Sequence, residues 1–263
     1  MAKNAYKIIF ILVLALAIFL RLYQLDTIPP GVNRDEASIG YTAYSLLQTG
    51  KDEYGRIFPL SFESFGDWKL PLYIYVTTLT VSFFGLSELA VRLPSAIFGI
   101  ATVALTFFLT YELLQNRRLA LFAMLLAAIA PWHIHLSRVE SESNTAVFFV
   151  TAAVLLFLKS MRGQSWLAVP GFVLFALTYF TYAGNYVFTT LLLICTFFIY
   201  RSIPKTKSFP VAVAIFLLLT GFIASQTMFG NRTKISGIGI FGDPAVVHAE
   251  IELPRNKHEN PQS

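Results

Sequence analysis

Residues 163–200 run for 38 positions without one Asp, Glu, Lys or Arg. A helix crosses a bilayer in roughly 20 residues, so a run of this length is expected to form two spans joined by a turn. Ala183, Gly184 and Asn185 supply the turn chemistry near its middle. Further charge-free runs cover 8–20, 71–87, 93–111, 119–137, 143–158 and 208–231. The first extends past Arg21, whose aliphatic stem can carry its charge toward an interface. With 56% hydrophobic and 13% charged residues, against about a quarter charged in soluble domains, the chain reads as an all-α integral membrane protein. The first residues, MAKNAYK, have a signal-like charge pattern, but no small-residue cleavage site precedes Arg21 and Leu22, so a retained first helix is expected. The single cysteine, Cys195, lies inside an apolar run, so no intramolecular disulfide is expected.

The formal charge of +5 does not indicate a nucleic-acid partner, because the bases sit in small clusters between apolar runs, as cytoplasmic loops require. Counting all eight candidate segments as spans would put Arg117 and Arg118 on the opposite face from the N-terminus. The segment 71–87 is the one least suited to crossing: it is short, opens on Pro71, and sets Thr77, Thr78, Thr80 and Ser82 against Tyr73, Ile74, Leu79 and Phe83. Read as an in-plane or re-entrant amphipathic helix, it leaves about seven spans. Lys3, Lys7, Arg117, Arg118, Lys159, Arg162, Arg201, Lys205 and Lys207 then all face the cytoplasm. Every acidic residue except Glu112 falls on the other face, where the chemistry is therefore expected. The expected organisation is a transmembrane core over 1–227, with an outer loop at 26–90 and an outer polar tail at 228–263 that reads as the start of a truncated loop.

The outer loop opens with Asn33-Arg34-Asp35-Glu36. Asn33 can cap a helix and Glu36, three residues on, can close a capping box. Ile39, Ala43, Leu46 and Leu47 make an apolar face and Gly50 a stop. Glu36 thus has a structural explanation beside its candidacy as a catalytic acid. Asp35 has two readings: a complement to the helix dipole, or a general base at the membrane surface. In HLSRVESESN the topology returns Arg138, Glu140 and Glu142 to the same face. Glu140 reads as an ordinary solvated loop residue, and Glu142 as a charge at the mouth of a span, where charge is costly and functional. Lys69 and Arg92 flank the in-plane segment. They either anchor to lipid headgroups or stabilise negative charge developing on a leaving phosphate.

His133 and His135 lie two apart, not at the spacing that puts ligands on one helical face, so no metal site is expected; a divalent cation is not indicated. No GxSxG, Walker or GxGxxG motif occurs. Tyr179, Phe180, Tyr182 and Tyr186 read as an interfacial aromatic belt, with sugar stacking as the sharper alternative. Asn231, Arg232 and Thr233 form a glycosylation sequon.

Taken in order, the acidic pair, TAYSLLQTGKDEYG, FPLSFESFGDWKLPLY, FGLSELAVRLPSAIFG and APWHIHLSRVESESN resemble the bacterial members of glycosyltransferase family 39, in the GT-C class with the protein O-mannosyltransferases and the lipid A aminoarabinose transferases. The resemblance covers most of residues 21–150; the later runs agree in hydrophobic character. It implies an enzyme of the bacterial cytoplasmic membrane, without a cofactor, that takes a sugar from a polyprenyl-phosphate carrier at the extracytoplasmic face and passes it, with inversion, to a protein, lipid or glycan. Asp35 matches the family's base in the first outer loop, Arg92 the arginine opening the Leu-Pro-Ser-Ala span, and Glu142 the second-loop acid. Lys69 matches the lysine of a Lys-Pro-Pro-Leu motif that holds the lipid phosphate, with Leu70 in place of the first proline. Arg138 is grouped with Lys69 and Arg92 toward the donor phosphate. Family members are commonly about twice this length, so the chain is expected to be a fragment or truncated form.

Two other classes compete. A non-catalytic membrane scaffold or subunit, or an inactive fragment, fits the short length. A small transporter would place ionisable or broken helix centres at the bilayer midplane, which the uncharged interiors of 93–111 and 119–131 do not provide.

Overall fold

The computed structural model describes residues 3–65, 67–199 and 207–229. The sequon at Asn231 and nearly all of the expected tail at 228–263 lie outside these. In chain order the elements are α1 (Lys3–Leu22), α2 (Arg34–Thr49), β1 (Phe62–Ser64), β2 (Asp67–Lys69), α3 (Pro71–Phe84), α4 (Glu88–Leu114), α5 (Arg117–Ile129), α6 (Pro131–Arg138), α7 (Glu142–Met161), α8 (Ala168–Thr178), α9 (Asn185–Ile199) and α10 (Ser208–Phe229). The fold is all-α apart from the antiparallel β1–β2 hairpin, in which Phe62 pairs with Lys69.

Among the described residues three helices are long and apolar enough to cross a membrane: Asn4–Leu22, Glu88–Leu114 and Glu142–Met161. α5 and α6, bent by 55° at a short break, together make a fourth. α3, α8, α9 and α10 contain shorter apolar helices. Length and composition therefore give three or four spans where charge placement gives seven. The long apolar run does break where its turn residues lie, between Thr178 and Asn185.

α4 is the central post, packed against α1, α2, α3, α5, α6 and α7. Ser87 starts it by accepting from the Ala90 amide at 3.3 Å, and Gln115 ends it in the left-handed conformation. Asn116 then caps α5 through the Arg118 and Leu119 amides. On one side Val13 and Ala17 of α1, Val103 of α4, and Met124 and Ala128 of α5 form a core; on another, Phe157 of α7 meets Phe172 and Phe175 of α8 and Phe209 of α10. Gly99 marks the tightest contact: a Cβ there would lie 2.8 Å from the Cβ of Ser137 in α6 and closer still to its hydroxyl.

Prolines in apolar helices leave carbonyls without an amide partner, which hydrocarbon cannot solvate. Pro94 in α4 orphans the Ala90 carbonyl, and Thr80 of α3 donates to it at 2.5 Å. Pro131 at the α5–α6 bend orphans the Ala127 carbonyl, and Arg21 donates to it through Nη2 at 3.2 Å. The Nη1 of Arg21 reaches Ala128 at 3.1 Å, and its Nη2 also meets His133 Nδ1 at 2.7 Å. Arg21 is thus fully buried at the bend instead of reaching an interface. α3 also departs from its expected division into faces. Thr77 is buried, the hydroxyls of Thr78 and Ser82 turn back to the carbonyls of their own helix, and the exposed positions are Ser82 together with the apolar Leu79, Phe83 and Phe84.

The segment between α1 and α2 is held to α4 by Arg92, which is fully buried. Its Nε donates to Glu36 Oε1 at 2.8 Å and its Nη2 to Glu36 Oε2 at 3.1 Å. Nη2 also reaches the Gly31 carbonyl at 2.6 Å, while Nη1 donates to the carbonyls of Leu25 and Pro29 and lies 3.2 Å from Glu88. All five guanidinium N–H groups are engaged by protein. Arg138 does the same for the end of α1, donating to the carbonyls of Leu20, Tyr23, Gln24 and Ile28.

Removing one partner of a buried pair leaves a charge without compensation, at a cost of about 3–5 kcal/mol. Arg92→Gln is therefore expected to lower the thermal unfolding midpoint of the detergent-solubilised chain sharply. Gly99→Ala, which forces α4 and α6 apart, is expected to cost about 1–3 kcal/mol; an unchanged midpoint in either variant would contradict the packing described.

Candidate functional site

The site forms at the end of the bundle where α2, the hairpin, and the α6–α7 junction meet. Asn33 caps α2 with its side chain on the Glu36 amide at 2.8 Å, while the Glu36 carboxylate accepts from the Asn33 amide at 3.0 Å, so the expected capping box is present. It orients two neighbouring acids differently, because adjacent helical residues point about 100° apart. Glu36 turns inward to Arg92 and is buried; the Asp35 side chain stays 60% exposed.

The hairpin is fastened to the first turns of α2. Arg34 donates to the Phe65 carbonyl at 2.9 Å and lies over the Phe65 ring, and the hydroxyls of Ser38 and Ser64 are 2.6 Å apart. The preceding KDEYG turn is closed by Asp52, which accepts from the amides of Tyr54 and Arg56 and from the Arg56 guanidinium at 2.8 Å. These ties bring Lys69, at the end of β2, over the α2 N-terminus. Its Nζ donates to Asp35 Oδ1 at 2.6 Å from a side chain only 9% exposed. Asp35 is the one hydrogen-bond partner of the Lys69 ammonium among the described residues. Leu70, where the family motif has proline, holds φ −79° and ψ 151°, a geometry that proline itself adopts, so the substitution leaves the backbone path unchanged.

Across from this pair, the extended backbone at Val139 (φ −120°, ψ 165°) places Arg138 and Glu140 on one side of the chain. The Glu140 amide donates to Glu36 Oε1 at 3.3 Å. Ser141 caps α7 on the Asn144 amide, which sets Glu142 in the first turn. Glu140 is half-buried, not the solvated loop residue expected. Burial first, then the Glu142 charge, push its carboxyl up to about 8, with Asp35 and Glu36 adding to the effect and Lys69 opposing it. Glu36 goes the other way: burial works against its charge, but the hydrogen bonds from Arg92 and from the Asn33 and Glu140 amides hold it below the usual carboxylate range. At neutral pH one acid of this cluster therefore carries a proton and the other is fixed as an anion.

Of the six residues expected from sequence, the structure gathers Asp35, Lys69 and Glu142 around Glu140. It places Arg92, Arg138 and Glu36 differently. Their charged atoms meet protein carbonyls, amides and one another: Arg92 is fully engaged, Arg138 donates to four carbonyls, and Glu36 is held by Arg92 and two amides. Glu140 is the residue that sequence reasoning passed over; its signal was its place one residue before the Ser141 cap. Tyr179 and Tyr186 pack with ring centroids 5.9 Å apart at the α8–α9 turn, and the Tyr186 hydroxyl is buried without a hydrogen-bond partner among the described residues, within electrostatic reach of Glu142. The Phe180 carbonyl of that turn accepts from the Leu72 amide at 3.1 Å, tying it to the start of α3. Among the described residues no three His, Cys, Asp or Glu side chains are arranged to hold a metal.

The fold has solved counterparts. The ArnT structure from Cupriavidus metallidurans bound to undecaprenyl phosphate superposes with a TM-score of 0.65 at 16% identity, over 86% of this chain and 42% of that one. Its apo form gives 0.64 at 16% identity, over 87% and 43%. The oligosaccharyltransferase of Archaeoglobus fulgidus gives 0.63 at 15% identity, over 84% and 29%. These likenesses show a shared fold, and the chain spans less than half the length of each of these proteins. No curated protein sequence matches it. The family model described as dolichyl-phosphate-mannose-protein mannosyltransferase matches residues 10–222, most of the chain, and this integral membrane protein belongs to that family.

Proposed function

We propose that this chain carries the first-loop half of a membrane glycosyltransferase site that moves a sugar from a polyprenyl-phosphate carrier to a protein, lipid or glycan acceptor. The observation that carries this reading is the Asp35–Lys69 pair: an exposed carboxylate and a buried ammonium 2.6 Å apart, with Asp35 as the only hydrogen-bond partner of that ammonium among the described residues. Membership of the mannosyltransferase family, and the likeness to a fold solved with undecaprenyl phosphate, support the same chemistry.

In the proposed reaction the acceptor's nucleophilic atom forms a bond to the anomeric carbon on the face opposite the phosphate, and the bond from that carbon to the phosphate oxygen breaks. The configuration inverts. Asp35 takes the acceptor's proton, and Lys69 turns to the phosphate oxygen on which negative charge collects. A phosphodiester leaves as a stable anion, so no strong acid is needed at that oxygen. Glu140, holding its proton, donates to acceptor or sugar and keeps the cluster from becoming too negative for the donor; Glu142 orients the acceptor. Arg92, Glu36 and Arg138 act through position alone. Seven spans, with α3 not crossing, put this end outside the cytoplasmic membrane and the basic ends inside.

Asp35→Asn is expected to reduce turnover of polyprenyl-phosphate sugar by about 10²–10⁴-fold, the usual contribution of a positioned base, and to lower the unfolding midpoint, because the buried Lys69 ammonium loses its charged partner. Lys69→Gln is expected to weaken retention of undecaprenyl phosphate by about tenfold or more. Retained turnover in the first variant removes Asp35 from the mechanism; wild-type membranes that consume no lipid-linked sugar favour the scaffold reading.

A raised carboxyl also couples the fold to pH. Between the ordinary glutamate range and about pH 8 the unfolded chain has released the Glu140 proton while the folded chain keeps it. Stability from this group is therefore fully present at low pH and declines as pH rises through about 8. Unfolding midpoints measured from pH 5 to 9 are expected to fall more steeply in the wild type than in Glu140→Gln; parallel profiles would show that Glu140 ionises normally.

A further inference from the structure

The opposite end of the bundle holds a groove of about 550 Å³ between the start of α1 and the ends of α4, α5 and α7. A volume of this size is ordinary for a small-molecule cleft. Its floor is aromatic: Phe10 packs edge-on against Phe107 with centroids 5.0 Å apart and against Phe108 at 5.9 Å. Its rim is cationic, with Lys7, Arg117 and Lys159. The Arg117 guanidinium is steadied between two rings, 6.0 Å from Tyr6 and 5.8 Å from Tyr111. Such stacking leaves its N–H edge available to an anion. The one acid on the rim, Glu112, is already engaged by Arg162 at 2.8 Å. The ammonium groups of Lys7 and Lys159 have no carboxylate or hydrogen-bond partner among the described residues, although Lys159 is half-buried.

We infer that this groove is a binding site for an anionic glycerophospholipid, with an acyl chain on the Phe10–Phe107–Phe108 floor and the headgroup phosphate held by Lys7, Arg117 and Lys159. The charge decides the occupant. Three cations around an aromatic floor, with the local acid neutralised, match an amphiphile that is apolar at one end and anionic at the other. Basic pockets between membrane helices take anionic headgroups for this reason. A zwitterionic lipid would bring its own ammonium against the same cations. A second copy of the chain would have to present a carboxylate at the end of an apolar segment. The groove lies at the far end of α4 from Asp35 and Lys69, so it is a separate site from the donor pocket proposed above.

The test is native mass spectrometry of the full chain in mild detergent with equal amounts of phosphatidylglycerol and phosphatidylcholine. Preferential retention of phosphatidylglycerol is expected, and Lys159→Gln and Arg117→Gln should each weaken it by about fivefold, the effect of one interfacial cation. Lys69→Gln should leave it unchanged, which separates this site from the donor site. Equal retention of the two lipids overturns the proposal, and because that comparison uses wild-type protein it does not depend on how variants fold. Displacement by glycerol phosphate would reduce the site to a surface anion contact. Displacement by undecaprenyl phosphate at equal concentration would give the groove to the carrier lipid, and dimer formation that expels lipid would give it to a second copy; each of these also overturns it.

Discussion

A full positive charge with no solvent exposure is costly unless every donor meets an acceptor. Arg92 satisfies that condition with one bidentate carboxylate, a second carboxylate in its own helix, and three carbonyls of the 25–31 segment. That segment is neither helix nor strand, so its carbonyls have no ladder to join. The guanidinium serves as their shared partner and thereby fixes the path from α1 into α2. Asp35 is the neighbour of the residue that Arg92 grips, and its direction follows from that grip together with the turn of the helix. Asp35, the proposed base, is aimed by an arginine that does not touch it.

The same logic recurs deeper in the bundle. Pro94 and Pro131 each free a carbonyl in an apolar setting, and in both cases a side chain from another helix supplies the missing donor. The bend at Pro131 matters most, because it turns α6 toward α1 and lets Arg138 close the last carbonyls of that helix. Gly99 permits α4 and α6 to approach closely enough for this. The bend and the close approach together bring Glu140 within hydrogen-bond distance of Glu36, more than a hundred residues earlier in the chain.

Local features were legible in the sequence, and features made by distant partners were not. The Asn33–Glu36 capping box and the break in the long apolar run depend on residues a few positions apart, and both are found. The nearness of Asp35 to Lys69 was indicated by family motif order rather than by spacing. The carbonyls that Arg92 and Arg138 meet were not legible, because a basic residue at a span boundary offers no local sign of whether lipid, substrate or carbonyl will meet it. Apart from Glu88, their partners lie 56 to 118 positions away. Glu140 was read as solvated for the mirror reason: its burial comes from α2 and the hairpin folding over it. The polar residues of α3 were assigned to a solvent face, but threonine and serine can satisfy themselves on their own helix, so their presence does not locate water.

The charges at this end also constrain one another. Glu36 is bound to Arg92 and Asp35 to Lys69, while Glu140 and Glu142 stand two residues apart at the mouth of α7. Like charges so close ionise one at a time, and burial selects Glu140 as the one that keeps its proton. A donor phosphate adds further negative charge near Lys69, and it does so at less cost while Glu140 is neutral. In the proposed site the proton on Glu140 and the phosphate on the donor are therefore linked: each makes room for the other, and a cluster with all four carboxylates ionised would repel the substrate that the lysine is placed to receive.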